Sequence, residues 1–341
     1  MLEAFLQIMT QVPAGRTRQP GTCFKIAGGS VTVRAEASLS RALTAALQHL
    51  EPAPDAGLEI VAWEGKPLPI RQAPEAWRVA ERWAQRQPVR AATSAGMVYF
   101  DPIGRVVTLY DARNQLGGLW VEDAAALKSW IAAAPFLRLF DAWLTPQGKF
   151  LCHGAAIARG GRAALIIGPG GAGKSTLALR SVEHGFAYVG DDYVVLDPGQ
   201  SWPAVYSVYS SGKLAAADFA TGIAPQFSLF REPDDEMDKV VLRVEPSAML
   251  ASAPVAIVIA PRIGDHEAGA VEPISSAEAL RILLPSALQQ LPGDHQAKLN
   301  ILKRMLVVPC VRLSLMRSHR HNLSLIETLL SSAPSPRELA A

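Results

Sequence analysis

Residues 168–176 read Gly168-Pro169-Gly170-Gly171-Ala172-Gly173-Lys174-Ser175-Thr176, in which a glycine, four residues and a second glycine lead straight into a lysine and a hydroxyl. Glycines at this density let successive backbone N–H groups turn inward, and the first turn of a following helix adds partial positive charge. The segment therefore suits an anion of the size of a phosphate. Lys174 is placed to reach the β- and γ-phosphates of a nucleotide, and the Ser175 hydroxyl to ligate magnesium. The flanks agree. An aliphatic run, Ala164-Leu165-Ile166-Ile167, precedes the loop, and a helical stretch from Thr176 to His184 follows it, closed by Gly185. A chance glycine turn would not be expected to bring both neighbours with it.

Downstream, Phe186 to Gly190 reads as a short strand that ends in Asp191-Asp192. A phosphate site needs an acid near its metal, and transfer to a hydroxyl needs a base. Adjacent aspartates past a strand end can divide the two tasks, because neighbouring strand residues point in different directions. His153 falls on an apolar strand, Leu151 to Ile157, that precedes the one feeding the loop. A lone histidine there is more often a satisfied core residue than a catalytic one. Lys213, Lys239 and Arg262 lie in segments able to return to the phosphates and stabilise developing charge, although such side chains ordinarily lie on the surface. Asp234-Asp235-Glu236 reads as a solvated loop. His319-Arg320-His321 reads as an exposed pair of histidines without further ligands.

The chain that must position these groups has 341 residues, with 33 Lys+Arg against 31 Asp+Glu and a formal charge of +2. That length allows two domains, and 49% hydrophobic residues against 19% charged exclude a long disordered chain. A nearly neutral chain has no electrostatic footprint for nucleic acid or an anionic membrane, so neither is expected as a partner. Cys23, Cys152 and Cys310 are scattered and odd in number, which fits a reducing cytoplasm better than a disulfide framework or a zinc site. The N-terminus carries Glu3 and no long apolar run, and the longest uncharged stretches, such as Pro246 to Pro261, are too short and too proline-broken to span a bilayer. A cytoplasmic protein is expected.

Residues 1–145 read as a mixed α/β unit. A hairpin over 22–35 turns at Gly28-Gly29, a helix capped by Ser38 runs to Leu50, and strands follow at Leu58–Trp63, Met97–Phe100 and Arg105–Tyr110. Val121 to Leu144 reads as mostly helical with a break at Pro135. Trp63, Trp83, Trp120, Trp130 and Trp143 are expected to fill a core. From 146 to 330 the character changes, opening with a second hairpin around Arg159-Gly160-Gly161-Arg162, and 331–341 reads as a flexible tail.

Taken together, His153-Gly154, the glycine loop and Asp191-Asp192 resemble the catalytic domain of the bacterial HPr kinase/phosphorylase family over about residues 150–197. Later segments, among them Tyr206 to Leu214, Asp238 to Leu242 and Leu284 to Gly293, resemble a broader group of HPr-kinase-like proteins, some of which act in lasso-peptide pathways. The resemblance implies an α/β fold with a P-loop catalytic domain of the HPr kinase/PEP carboxykinase type in 146–330, preceded by the smaller N-terminal unit as a candidate for substrate recognition. It also implies ATP and Mg as cofactors, Asp191 as base, Asp192 and Ser175 on the metal, and His153 and Lys174 beside the phosphates. Thr176 stands where HPr kinases place a glutamate, and their later magnesium-binding segment has no counterpart here. A kinase transferring the γ-phosphate to a Ser/Thr hydroxyl of another protein or peptide is therefore expected. A small-molecule kinase on the same fold and a non-catalytic nucleotide-binding module remain open, as does a homo-oligomer.

Overall fold

The computed structural model describes residues 20–54, 57–65, 82, 84–86, 88–199, 201–220, 222, 224–232, 238–264, 269–289, 291 and 294–333, with the backbone alone at 286–289. The readings made at the N-terminus before residue 20, at Trp83, at Asp234-Asp235-Glu236, at Gln290, Pro292 and Gly293, and past residue 333 lie outside these residues. The chain divides into two compact units, Met1–Trp143 and Leu144–Ala341, and it is a mixed α/β protein with several sheets.

In the first unit, β1 (Thr22–Ile26), β2 (Gly29–Ala35), β3 (Leu58–Glu64), β4 (Val89–Thr93), β5 (Gly96–Asp101), β6 (Val106–Asp111) and β7 (Leu116–Val121) form one sheet in the order β1-β2-β3-β7-β6-β5-β4. The strand β3 lies parallel to both neighbours, β2 and β7, and the other pairs are antiparallel. The first hairpin closes one residue earlier than the Gly28-Gly29 expected, at Ala27 and Gly28 with φ 49° and 84°, the left-handed pair that a two-residue turn demands, and Gly29 already pairs with Ile26. Helix α1 (Ala37–Thr44) starts earlier than a Ser38 cap would give, because the Glu36 carbonyl already accepts from Leu39 and Ser40. The stretch expected to be helical from Val121 begins instead as the end of β7. It continues through a short turn at Ala124–Ala126 to α2 (Ser129–Ala133) and α3 (Leu137–Leu144), broken around Pro135. Val121 sits in Leu119-Trp120-Val121, a bulky run whose side chains are buried in the sheet, and that burial overrides helical spacing. Trp63, Trp120 and Trp143 are buried, and Trp130 is partly so.

The second unit contains β8 (Phe150–Cys152), β9 (Ala155–Arg159), β10 (Arg162–Ile166), α4 (Lys174–Val182), β11 (Ala187–Gly190), β12 (Val194–Asp197), β13 (Ala204–Tyr206), β14 (Ser211–Ala215), α5 (Ala216–Ala220), β15 (Phe227–Arg231), β16 (Lys239–Val244), β17 (Ser252–Ile263), β18 (Val271–Pro273), α6 (Ser276–Gln289), α7 (His295–Met305), β19 (Cys310–Leu315) and α8 (His319–Ser332). Its main sheet runs β11-β9-β10-β17-β13-β12-β8, with β19 beside β17 and β18 beyond it, and β14-β16-β15 form a separate small sheet. The three strands β10, β17 and β19 are parallel. Alternate residues of β10 face opposite cores. Leu165 packs with Leu283, Leu302 and Met305 of α6 and α7, while Ile166 packs with Leu177, Val182 and Ile326 of α4 and α8. Burial on both faces is why this stretch is continuously apolar rather than alternating.

One feature of this sheet positions the site. Cys152 of β8 faces Val194 of β12, and Ala156 of β9 faces Gly190 of β11. These are two halves of a single antiparallel ladder, interrupted where both chains bend at 153–154 and 191–193. His153, expected within an unbroken strand, therefore lies in the bend, because the chain must leave β12 there to join β10. Gly154 is required at that crossing for space: an added Cβ would stand 3.0 Å from the Ile166 carbonyl oxygen.

Cys23, Cys152 and Cys310 form no disulfide with one another, and no helix among the described residues is long and apolar enough to cross a membrane. Replacing Gly154 by valine should cost about 1–3 kcal/mol, since the clash is with backbone rather than a side chain that can swing away. Urea unfolding followed by circular dichroism checks this, and an unchanged midpoint would show that the crossing has slack.

Candidate active site

The strand β10 delivers the chain into the glycine loop, and Lys174 opens α4. Gly171 and Gly173 adopt φ 80° and 91°, a backbone conformation that costs any other residue about 1–2 kcal/mol. Around Gly170 and Gly171 an added Cβ would meet nothing within 4 Å, so this side of the loop is open. The first-turn N–H groups of α4 lack partners within the helix, as in any helix, and point toward the loop. Lys174 is 6% exposed. Its Nζ donates to the carbonyl oxygens of Gly168 at 2.7 Å and Pro169 at 3.0 Å. Burial lowers the Lys174 pKa, and the nearby carboxylates of Asp191 and Asp192 push it back up. At the far end, Gly185 at φ 81° donates to Val182 and turns the chain into β11.

The two aspartates are separated by a tight turn rather than by strand alternation. The N–H of Tyr193 donates to the Asp191 carbonyl at 2.8 Å, across Asp192 at φ 67°. A non-glycine residue held there is strained, and such strain concentrates at functional sites. Asp191 is 1% exposed. Its Oδ2 accepts from the Lys213 backbone N–H at 3.3 Å, while its Oδ1 is buried with no hydrogen-bond partner. Burial and, next, the Asp192 charge raise its pKa above the usual carboxylate range, partly offset by the Ser175 hydroxyl and by backbone N–H groups.

Asp192 has the opposite surroundings. Its Oδ2 accepts from Lys213 Nζ at 2.5 Å, and its Oδ1 lies 3.2 Å from His153 Nε2. Burial pushes its pKa up, but the Lys213 ammonium and His153 outweigh this and hold it below the usual range. The His153 ring lies against Tyr193 with centroids 5.5 Å apart, and its Nδ1 is buried without a partner.

Lys174, Ser175, Asp191, Asp192, His153 and Lys213 thus interact as one cluster. The charge of Lys239 also reaches Lys174. Arg262, exposed at the end of β17, borders a cavity of about 320 Å³ with Gly168, Pro169 and Arg312 on another side of the loop, away from the aspartates' partners. His319, Arg320 and His321 are exposed. Sequence reasoning missed Tyr193 and Arg312. The first was readable from the ladder, which sets residue 193 opposite 153. No spacing signal marks the second.

Among the described residues, no group of three or more His, Cys, Asp or Glu could hold a metal ion by itself. Magnesium does not require one, since it is commonly held by one or two carboxylates together with water and phosphate oxygens. The Ser175 hydroxyl and the Asp192 carboxylate are donors of the kind such an ion takes, and the Asp192 oxygens would share it with Lys213 and His153.

No family model matches the chain, and no curated protein matches it. Among solved structures, the Hpr(Ser) kinase/phosphatase from Coxiella burnetii is similar to this chain, with a TM-score of 0.28 and 13% sequence identity over 53% of this chain and 93% of that one.

The opposed shifts give opposed pH dependences. Asp191, raised in the folded state, costs stability progressively as pH rises from its unfolded value through its folded pKa, so Asp191→Asn should stabilise the protein at pH 7–8 and lose that advantage as the solution is acidified. Asp192, depressed in the folded state, contributes stability above its unfolded value of about 3.9. Asp192→Asn should therefore cost about 2 kcal/mol at neutral pH, and the deficit should close as pH falls toward the folded pKa. Thermal melts of both variants from pH 2 to 8 test the pair; the same sign for both at neutral pH would contradict the assignment.

Proposed function

We propose that residues 144–341 form a P-loop catalytic domain of the HPr kinase/PEP carboxykinase type. It moves the γ-phosphate of ATP, with Mg, to a Ser/Thr hydroxyl of a protein or peptide. The observation that carries this reading is buried Asp191, whose Oδ1 has no hydrogen-bond partner, whose carboxyl the Ser175 hydroxyl reaches, and which lies within electrostatic range of Lys174 at an open glycine loop. A fold does not bury an unsatisfied carboxylate oxygen without cost, and catalytic sites are where that cost is accepted.

Each residue then has a task. The backbone N–H groups of 170–176 cradle the phosphates. Lys174 exchanges its bonds to the Gly168 and Pro169 carbonyls for phosphate oxygens, staying buried as it does so. Asp191, its proton affinity raised by burial, takes the proton of the incoming hydroxyl. Asp192 remains an anion, and with His153 and Lys213 it fixes the turn that aims Asp191. Ser175 and Asp192 hold magnesium, which when bound neutralises charge on the phosphate oxygens. The unit Met1–Trp143 is assigned to acceptor recognition, and the whole protein to the cytoplasm.

Asp191→Asn should leave the ATP dissociation constant within about twofold and reduce phosphotransfer by roughly 10²–10⁴-fold, the usual share of a general base. Lys174→Met should instead weaken ATP binding. Calorimetry and transfer of labelled γ-phosphate to a Ser/Thr peptide library read the two effects separately. Normal transfer by Asp191→Asn removes the base assignment, and absence of nucleotide binding by the wild type removes the reading as a whole.

A further inference from the structure

On the outer side of the same loop lies a second cavity of about 480 Å³. We infer that it seats the nucleobase of the nucleotide whose phosphates lie in the glycine loop; this rests on the phosphate-binding reading above. Gly173, Thr176 and Leu177 from the loop and first turn of α4 form one wall, and Ile263, Leu315 and Met316 from the ends of β17 and β19 form the other. The cavity and the phosphate cradle therefore share Gly173, and a Cβ added there would stand 2.9 Å from Leu315 Cδ1. A ligand whose phosphates contact the N–H groups of 173–176 has its next atoms at this mouth.

The chemistry of the walls suits a flat heteroaromatic ring. Four of the ten lining residues, Leu177, Ile263, Leu315 and Met316, offer apolar side chains, while Arg317, His319 and Asn322 add polar groups able to meet ring nitrogens, and the volume lies within the usual range for small-molecule sites, roughly 300–1,000 Å³. Ile263 is 63% exposed, a large aliphatic group left in water at a strand end although the core of this unit is well supplied with apolar contacts. A base stacked on it would remove that surface from water. The Met316 wall is also fixed in advance. Asn322, 1% exposed, accepts from the Met316 N–H at 2.9 Å and donates to the Met316 carbonyl at 2.9 Å. These two bonds fix the backbone of Met316 before a ligand arrives, which lowers the entropy lost on binding.

The test compares Mg-ATP with Mg-tripolyphosphate, which carries the phosphates and no base, by calorimetry on the full chain. Ile263→Asp, at an exposed position that leaves the core intact, should weaken ATP by roughly tenfold. The same variant should leave tripolyphosphate within about twofold, because the cradle is untouched. Met316→Ser provides a second variant with the same expected split. Equal losses for both ligands, or none for either, overturn the base seat while the phosphate reading stands. If the wild type binds neither ligand, the cradle and the base seat fall together.

Discussion

Two carboxylates adjacent in sequence and largely shielded from water cannot both ionise cheaply, since each raises the other's cost and burial raises both. The fold resolves the conflict by unequal distribution of partners. Lys213 and His153 both attend Asp192, while Asp191 receives weaker backbone and hydroxyl contacts. One member becomes a fixed anion and the other a group able to exchange a proton. Without the Lys213 ammonium the pair would share its charge, and neither role would be assigned. The strained turn at Asp192 is the structural expression of this division, because it directs the two side chains to different neighbours.

Much of the site was legible in the sequence. The glycine loop is readable because left-handed backbone angles are written directly as glycine, and because a strand buried on both faces has a distinctive aliphatic run. The small hairpins at Gly28 and at Gly160-Gly161 were legible for the same reason. His153 was recognised as a candidate, but its placement was misread. An apolar run does not announce a bend, and the only sign was Gly154, whose need is for empty space rather than for a turn. Lys213 stood out only as one cation among many. Its importance comes from β14 passing beside the turn, a tertiary fact with no local signature.

Residues 116–133 show the same limit in another form. Gly117 and Gly118 argue against a strand on propensity, yet β7 lies between β3 and β6 in the middle of the first sheet. An added Cβ at Gly117 would stand 2.3 Å from Leu139 Cδ1, so the glycine marks a close approach of α3 to the sheet. Packing explains the residue; intrinsic preference alone would have placed a loop there.

The bent ladder formed by β8–β9 and β11–β12 has one more consequence. The chain leaves this ladder at β9, builds β10, the glycine loop and α4, and returns to it at β11. The loop, Lys174 and Ser175 therefore belong to a single excursion, and His153 and both aspartates stand at the break in the ladder that stitches its two ends together. The distance from the cradle to the acids is set by the register of this ladder, with Lys213 of β14 as the outside contact that holds the aspartate turn. A one-residue slip of that ladder would move the acids relative to the glycine loop, whereas changes in the small sheet beyond it reach them through Lys213.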